Sequence, residues 1–255
     1  MISFGMIVKD GMPFVKYSLQ CIYPLNCEII IIDGGSTDGT LEYIKDLKDE
    51  DNKIALIEGK WKDKTEQCNE YMRRAKGAWV WQLDSDEVYK KNDLTNTIEF
   101  LGTTTENVLC IPIINFFRNL STIVVDGLWS TPPVRIFRHE KGNLYTGHRP
   151  PTVKRSNGKI LKSLGYTLYT AIIYHYSHIG IDRVRKKAQY YSENLKAHPI
   201  YSRYTEWFEK VYMSNQQTNL HITGGGTARK FESTHPEVIE EALKRNELSE
   251  FLKKE

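Results

Sequence analysis

The segment Glu28-Ile29-Ile30-Ile31-Ile32 sets four isoleucines in a row, and it constrains the fold more than any other stretch. β-Branched side chains favour extended backbone, and a strand with no polar alternation must be covered on both faces, as a central strand of a parallel sheet is. The run ends in Asp33-Gly34-Gly35-Ser36-Thr37-Asp38-Gly39-Thr40. Its glycines let the chain turn tightly, and Ser36, Thr37 or Asp38 can cap a following helix, with Asp38 the more natural cap. Asp33 has no such architectural explanation. At the carboxyl end of a strand, a short acid can accept hydrogen bonds from the N–H groups of a ligand.

The neighbouring sequence supplies a matching set of elements. Ile2 to Val8 reads as a first strand, Gly11-Met12-Pro13 as a turn into a helix from Phe14 to Cys21, and Thr40 to Leu47 as a second helix. A strand from Lys53 to Glu58 leads to a helix that ends near Lys76-Gly77, with Gly77 placed as its C-terminal cap. Trp79-Val80-Trp81-Gln82-Leu83 is then a buried strand that delivers Asp84, Ser85, Asp86 and Glu87 to its carboxyl edge. This alternation predicts an α/β fold: a Rossmann-like, mostly parallel central sheet flanked by helices, with right-handed crossovers. Asp84 and Asp86 repel one another across one residue, and a hard divalent ion, Mg2+ or Mn2+, would relieve that repulsion. A solvated acidic turn is the simpler alternative.

Bulk properties narrow the function classes. A net charge of +3 is too small to argue for nucleic acid. Cys21, Cys27, Cys68 and Cys110 show no C-x-x-C spacing, so reduced thiols in a cytoplasmic compartment are expected and no zinc site is suggested. The first residues read as a strand rather than a signal peptide, and no window reaches the roughly 18 apolar residues of a transmembrane helix. Peripheral contact with a membrane surface stays open.

Taken in order, Ile7-Val8, the Ile32–Thr40 motif, Gln67-Cys68-Asn69, Ala75-Lys76-Gly77-Ala78-Trp79 and Leu83-Asp84-Ser85-Asp86-Glu87 resemble the family-2 glycosyltransferases. The resemblance covers roughly residues 1 to 90. It implies a GT-A fold, a nucleotide-diphosphate sugar donor, a divalent cation and inversion at the anomeric carbon. By position it implies that Asp33 reads the nucleobase, a uracil N–H, with Val8 and Lys9 beside it. Asp84 would face the ribose and the metal, Asp86 would ligate the metal, and Ser85, Gln67 and Asn69 would border the nucleotide sugar.

The second half reads as the acceptor side. Val108 to Phe116 is an apolar strand with Ser121 to Val125 as a hairpin partner, and Asp126-Gly127-Leu128-Trp129-Ser130-Thr131-Pro132-Pro133 is a structured loop before a strand from Val134 to Arg138. Together with Tyr145-Thr146-Gly147-His148, this loosely resembles the branch that adds sugars to lipopolysaccharide cores, which implies a glycan or glycolipid acceptor. In that branch a glutamate follows the histidine; here Arg149-Pro150-Pro151 follows. An inverting transfer needs a base for the acceptor hydroxyl. Asp126 is the first candidate, with a turn acid before glycine as its alternative; Glu140, His148 and Glu87 come next. Arg135 is a candidate for the donor phosphates, and His175, or less so His178, for the metal.

A helix from Asp182 to Lys196 carries Arg183, Arg185, Lys186 and Lys187, and a second from Ser202 to Met213 carries aromatics at core-like spacing. Gly224-Gly225-Gly226 is a link, and a last helix runs from His235-Pro236-Glu237 to Lys244. The expected organisation is a nucleotide-sugar half (1–107), an acceptor half (108–178) and a helical extension (179–255). Two other functions stay open: a catalytically silent sugar-nucleotide or glycan-binding module, kept by the missing glutamate, and a nucleotidyltransferase, for which Lys9-Asp10-Gly11-Met12-Pro13 lacks a glycine-rich basic loop.

Overall fold

The computed structural model describes residues 1–252 apart from 51, 62, 127–130, 149, 150, 162–165, 195–199 and 223. Two compact units emerge, Met1–Pro112 with Pro132–Ile172, and Ile113–Thr131 with Ile173–Glu255. Both are discontinuous in sequence, whereas the sequence reading divides the chain into contiguous stretches.

Along the chain run β1 (Ile2–Val8), α1 (Phe14–Ile22), β2 (Glu28–Asp33), α2 (Thr40–Glu50), β3 (Ile54–Glu58), α3 (Lys64–Arg74), β4 (Trp79–Gln82), the two-residue β5 (Glu87–Val88), α4 (Lys91–Thr103) and β6 (Val108–Cys110). β7 (Ile113–Val125) belongs to the second unit, and β8 (Val134–Arg138), β9 (Leu144–His148) and β10 (Pro151–Lys154) return to the first. The sheet of the first unit has the order β3-β2-β1-β4-β8-β6. β1 is parallel to β2 and β4, and β2 to β3, while β8 runs antiparallel to both β4 and β6. The expected parallel core is therefore present, with an antiparallel margin added by the second half of the chain.

Burial follows the composition of each strand. Ile29, Ile30 and Ile31 are wholly inaccessible, as a strand covered on both faces must be. Ile30, Ile32, Tyr71, Val80, Phe137 and Tyr145 share one core cluster that joins α3 to the sheet. Close packing here depends on glycine: a Cβ on Gly5 would stand 2.4 Å from the Tyr71 ring. Gly77 does not cap α3 as expected. Ala75 takes that place, its N–H donating to Tyr71 O, and Gly77 is required because a Cβ there would lie 2.6 Å from the Ser3 nitrogen. Gly77→Ala should therefore cost about 1–3 kcal/mol through overpacking against backbone. A chemical-denaturation midpoint equal to the parent's would refute this.

The apolar stretch after residue 108 differs from the reading given to it. Pro112 has no N–H for a ladder, so β6 stops before it and β7 starts after it. β7 then continues through residues 121–125 as one strand instead of folding into a hairpin. The loop residues Gly127-Leu128-Trp129-Ser130 lie outside the described residues.

In the second unit β7 pairs in parallel with β11 (Ile173–Ile179) and antiparallel with β12 (Thr227–Lys230). α5 (Ile181–Asn194) follows β11, and α6 (Tyr204–Trp207), α7 (Glu237–Lys244) and α8 (Ser249–Leu252) complete the chain. The expected helix over 202–213 is broken into a 3-10 turn (Tyr201–Arg203), α6 and a π-type turn (Phe208–Tyr212). Its aromatics are core: Tyr204, Trp207, Phe208 and Tyr212 pack with Phe117 and Tyr191. Three basic residues of α5 have local duties: Arg183 donates to Tyr176 O at 3.0 Å, Arg185 pairs with Asp182 at 2.7 Å and Lys187 donates to Ser177 Oγ. Gly224, Gly225 and Gly226 all take positive φ ahead of β12. Phe251 closes over Gly180, where a Cβ would fall 2.1 Å from its ring. Among the described residues no helix is long and apolar enough to cross a membrane.

Candidate active site

Three loops meet at the carboxyl edge of the parallel strands in the first unit. The segment after β1 is stapled to the segment after β2: Asp10 N donates to Ser36 Oγ at 2.9 Å, Gly11 N to Thr40 Oγ1 at 2.9 Å and Met12 N to Asp38 Oδ2 at 2.9 Å. Asp38 also receives Thr40 N on Oδ1 at 3.1 Å, the capping role expected of it. The third loop is the turn after β4, because a Cβ on Gly11 would come 3.3 Å from Ser85 Cβ. Val8 is buried and in register with Asp33, and Lys9 is exposed at the start of the first loop.

Asp33 is 1% exposed. Its Oδ1 accepts from Gly35 N at 2.9 Å and Ser36 N at 3.0 Å, and its Oδ2 from Ser36 Oγ at 2.5 Å. The acid thus shapes the loop that holds it. Oδ1 already accepts two hydrogen bonds, while Oδ2 accepts one and still offers a second lone-pair direction.

On α3, Asp63 caps the first turn by accepting from Thr65 N at 2.8 Å and Glu66 N at 3.2 Å. This sets Gln67 toward Gly34, where a Cβ would lie 3.4 Å from the Gln67 amide nitrogen. Gln67 is 2% exposed and its Oε1 has no hydrogen-bond partner. A buried acceptor without a donor costs roughly 1–3 kcal/mol, and this oxygen finds no donor among the described residues. Asn69 behaves differently. It accepts from Tyr145 N at 2.7 Å and donates to Tyr145 O at 3.0 Å. Its amide thus ties α3 to the backbone of β9.

The acid turn carries a buried ion pair. Glu87 is fully buried, and Arg135 donates through Nε to its oxygens at 3.1 and 3.0 Å and through Nη2 to Oε1. Arg135 Nη2 also reaches Asp84 Oδ2 at 3.3 Å. Burial alone would depress the guanidinium, but the carboxylates of Glu87 and Asp84 outweigh it and hold its pKa above the ordinary value. Two sequence expectations change. Glu87 cannot serve as base toward an acceptor, because it is fully buried and Arg135 occupies both of its oxygens. Arg135, weighed as a phosphate contact, is committed to these two acids.

Asp84 is held from its other side. Gln82 Nε2 donates to Asp84 Oδ1 at 3.4 Å, Tyr145 OH donates to Gln82 Oε1 at 3.3 Å, and Tyr71 OH donates to Tyr145 OH at 2.9 Å. Burial pushes both phenols well above their usual range, so they keep their protons and act as donors. The sequence reading missed Gln82, Tyr145 and Tyr71. One signal was available: Gln82 is the polar residue in an otherwise apolar strand, and a buried amide needs partners.

Glu140 lies at the wrong end of the sheet. β8 is antiparallel to β4 with Trp79 opposite Arg138, so residues after 138 sit beyond the start of β4, whereas the acids follow its end. Glu140 is half exposed and 3.9 Å from Arg155. His148 closes β9 with its backbone opposite Pro151; its side chain, Arg149 and Pro150 lie outside the described residues. Asp126 and His175 belong to the second unit. Asp126 is exposed in left-handed backbone, φ 72°, just after β7. His175 Nδ1 lies 2.7 Å from Asn115 Oδ1.

Asp84 and Asp86, the latter 7% exposed, offer the hard oxygen atoms that Mg2+ and Mn2+ prefer. Among the described residues no three His, Cys, Asp or Glu side chains gather into a metal cluster. A cation shared by one or two carboxylates and a ligand's phosphates needs no such cluster, so the acid pair fits one.

The model of glycosyl transferase family 2 matches residues 15–160, more than half of the chain. A UDP-Glc:alpha-D-GlcNAc-diphosphoundecaprenol beta-1,3-glucosyltransferase of Escherichia coli is 33% identical over 109 residues, 42% of this chain and 41% of that protein. An uncharacterized glycosyltransferase of Mycoplasma genitalium is 29% identical over 129 residues, 47% of this chain and 40% of that protein. The chain thus spans about two fifths of the length of these curated relatives. A mannosyltransferase of Pyrobaculum calidifontis, solved in complex with GDP-Man and Mn2+, is similar at a TM-score of 0.50 and 14% identity, over 82% of this chain and 68% of that one.

Proposed function

The chain belongs to glycosyl transferase family 2 and has a GT-A fold, and from this premise we propose that it transfers a sugar from a nucleotide-diphosphate donor, a UDP-sugar, to a glycan or glycolipid acceptor with inversion. The observation that carries the reading is the grouping, within one unit, of Asp33 and the unpartnered Gln67 Oε1 with Asp84 and Asp86 on one edge of the parallel strands.

In this reading Asp33 accepts the single N–H of the uracil, with Val8 and Lys9 beside it, Gln67 offers its open Oε1 to a further donor group of the nucleotide at the base site, and Ser85 borders the ribose and diphosphate. Asp86 and Asp84 would hold Mn2+ or Mg2+, and a bound ion would supply charge neutralisation to the leaving diphosphate. Arg135 acts on the donor through Asp84, whose carboxylate it orients. With Glu87 and Glu140 set aside, Asp126 and His148 remain as candidates for the base that takes the acceptor proton.

Donor hydrolysis and transfer with a panel of nucleotide sugars and Mn2+ tests the proposal, and turnover of a UDP-sugar is the expected result. Tight donor binding without turnover would favour the silent module instead, a reading supported by Arg149 standing where the related branch has glutamate. Gln67→Leu should weaken UDP binding about fivefold, the worth of one hydrogen bond. An unchanged Kd by calorimetry would remove Gln67 from the base site.

A further inference from the structure

We propose that Gln82 and Tyr145 are positioning residues for Asp84, fixing its carboxylate in the one orientation that meets the donor and its cation. The inference rests on the donor-site reading above and adds residues that neither the motifs nor the comparisons assign.

The argument begins with direction. Tyr71, Tyr145 and Gln82 each donate to the next group, and the chain ends on Asp84 Oδ1. Gln82 can donate to Asp84 only if its Oε1 is turned the other way, and Tyr145 OH supplies the donor that favours this orientation. Tyr145 OH is in turn oriented because it accepts from Tyr71. A hydrogen bond polarises its neighbours in such a series.

Burial makes the series hard to rearrange. Gln82 is 3% exposed, Tyr145 2% and Tyr71 0%, so water is a poor substitute for any member. Tyr145 is anchored at its backbone by both halves of the Asn69 amide, and its ring meets Tyr71 and Phe137 edge-on at 5.8 and 5.5 Å. Asp84 therefore has Gln82 on Oδ1 and Arg135 on Oδ2. A carboxylate gripped on both oxygens keeps one rotamer, whereas a side chain 30% exposed would otherwise sample several. Fixing a ligand's supporting groups in this way is how outer partners tune metal affinity, with losses of about 10–100-fold on their removal.

The test uses the full chain with Mn2+ and UDP as probes, reading free Mn2+ by electron paramagnetic resonance alongside thermal melting. Tyr145→Phe keeps the ring contacts and deletes only the hydroxyl, and Gln82→Met keeps length and deletes the amide. Each should weaken Mn2+ binding in the presence of UDP about 5–10-fold, with the melting temperature of Tyr145→Phe close to the parent's. The double variant should be no weaker than Gln82→Met alone, since both break the same chain. Mn2+ affinities within twofold of the parent, or losses that add in the double variant, would overturn the proposal. Asp86→Ala serves as the control for the underlying reading: if it too leaves Mn2+ binding with UDP unchanged, the donor site itself is misassigned; if it abolishes binding while Tyr145→Phe does not weaken it, only the positioning role fails. Should Gln82→Met not fold, Tyr145→Phe alone decides.

Discussion

Asp86→Ala is expected to lower kcat/KM for the nucleotide sugar by at least about 100-fold, with Mn2+-dependent UDP binding lost in parallel. The transition state of glycosyl transfer places growing negative charge on the leaving diphosphate, and groups that stabilise such charge typically carry two to three orders of magnitude each. Asp86 sits in the turn that directly follows β4, beside the loops after β1 and β2. Asp86→Asn is the sharper variant, since it holds shape and removes charge; recovery of turnover at high Mn2+ would mark weakened metal binding rather than misfolding. Donor binding that stays Mn2+-dependent with parent affinity in Asp86→Ala would sink the metal assignment.

The second large effect is on stability. Glu87→Ala should lower the free energy of unfolding by about 3–5 kcal/mol, because it leaves a buried guanidinium without its main partner. The side chains of Arg135 and Glu87 are 8% and 0% exposed, so solvent cannot take Glu87's place. Replacing both partners with apolar residues of similar volume, Glu87→Leu with Arg135→Met, should be much milder than Glu87→Ala, since the pair's net contribution is far smaller than the cost of orphaning one charge. Urea denaturation monitored by tryptophan fluorescence measures both variants against the parent. A loss below about 1 kcal/mol in Glu87→Ala would show that the pair is not the anchor of the acid turn. The double replacement should nonetheless lose donor turnover, because Asp84 no longer has a guanidinium on Oδ2.

The strands that place the site were readable from their own composition. The isoleucines of β2 and the Trp79–Trp81 run could only be interior, and a strand's end fixes where its flanking acids emerge. Periodicity and turn chemistry carry that information locally, and the element boundaries of the first 82 residues follow it within a few positions. Errors began where partners came from far along the chain. Glu87 has the residue type of a base, yet Arg135, 48 positions away, claims it. Glu140 had suitable chemistry, and only the antiparallel register of β8 on β4 sets it at the opposite edge. Gly77 looked like a cap because local rules favour glycine there, whereas the constraint is the approach of the Ser3 backbone.

Sequence by itself determined the parallel α/β core, the edge on which its acids cluster and the order of the loops that carry them, because these depend on neighbouring residues whose spacing sets burial and turns. Tertiary structure alone decided which acid is spent on a guanidinium, which amide is left with an unmatched oxygen, and which buried phenols reach Asp84. Those outcomes depend on pairings across distant strands, and a hydrogen bond between residues tens of positions apart leaves no local pattern to read.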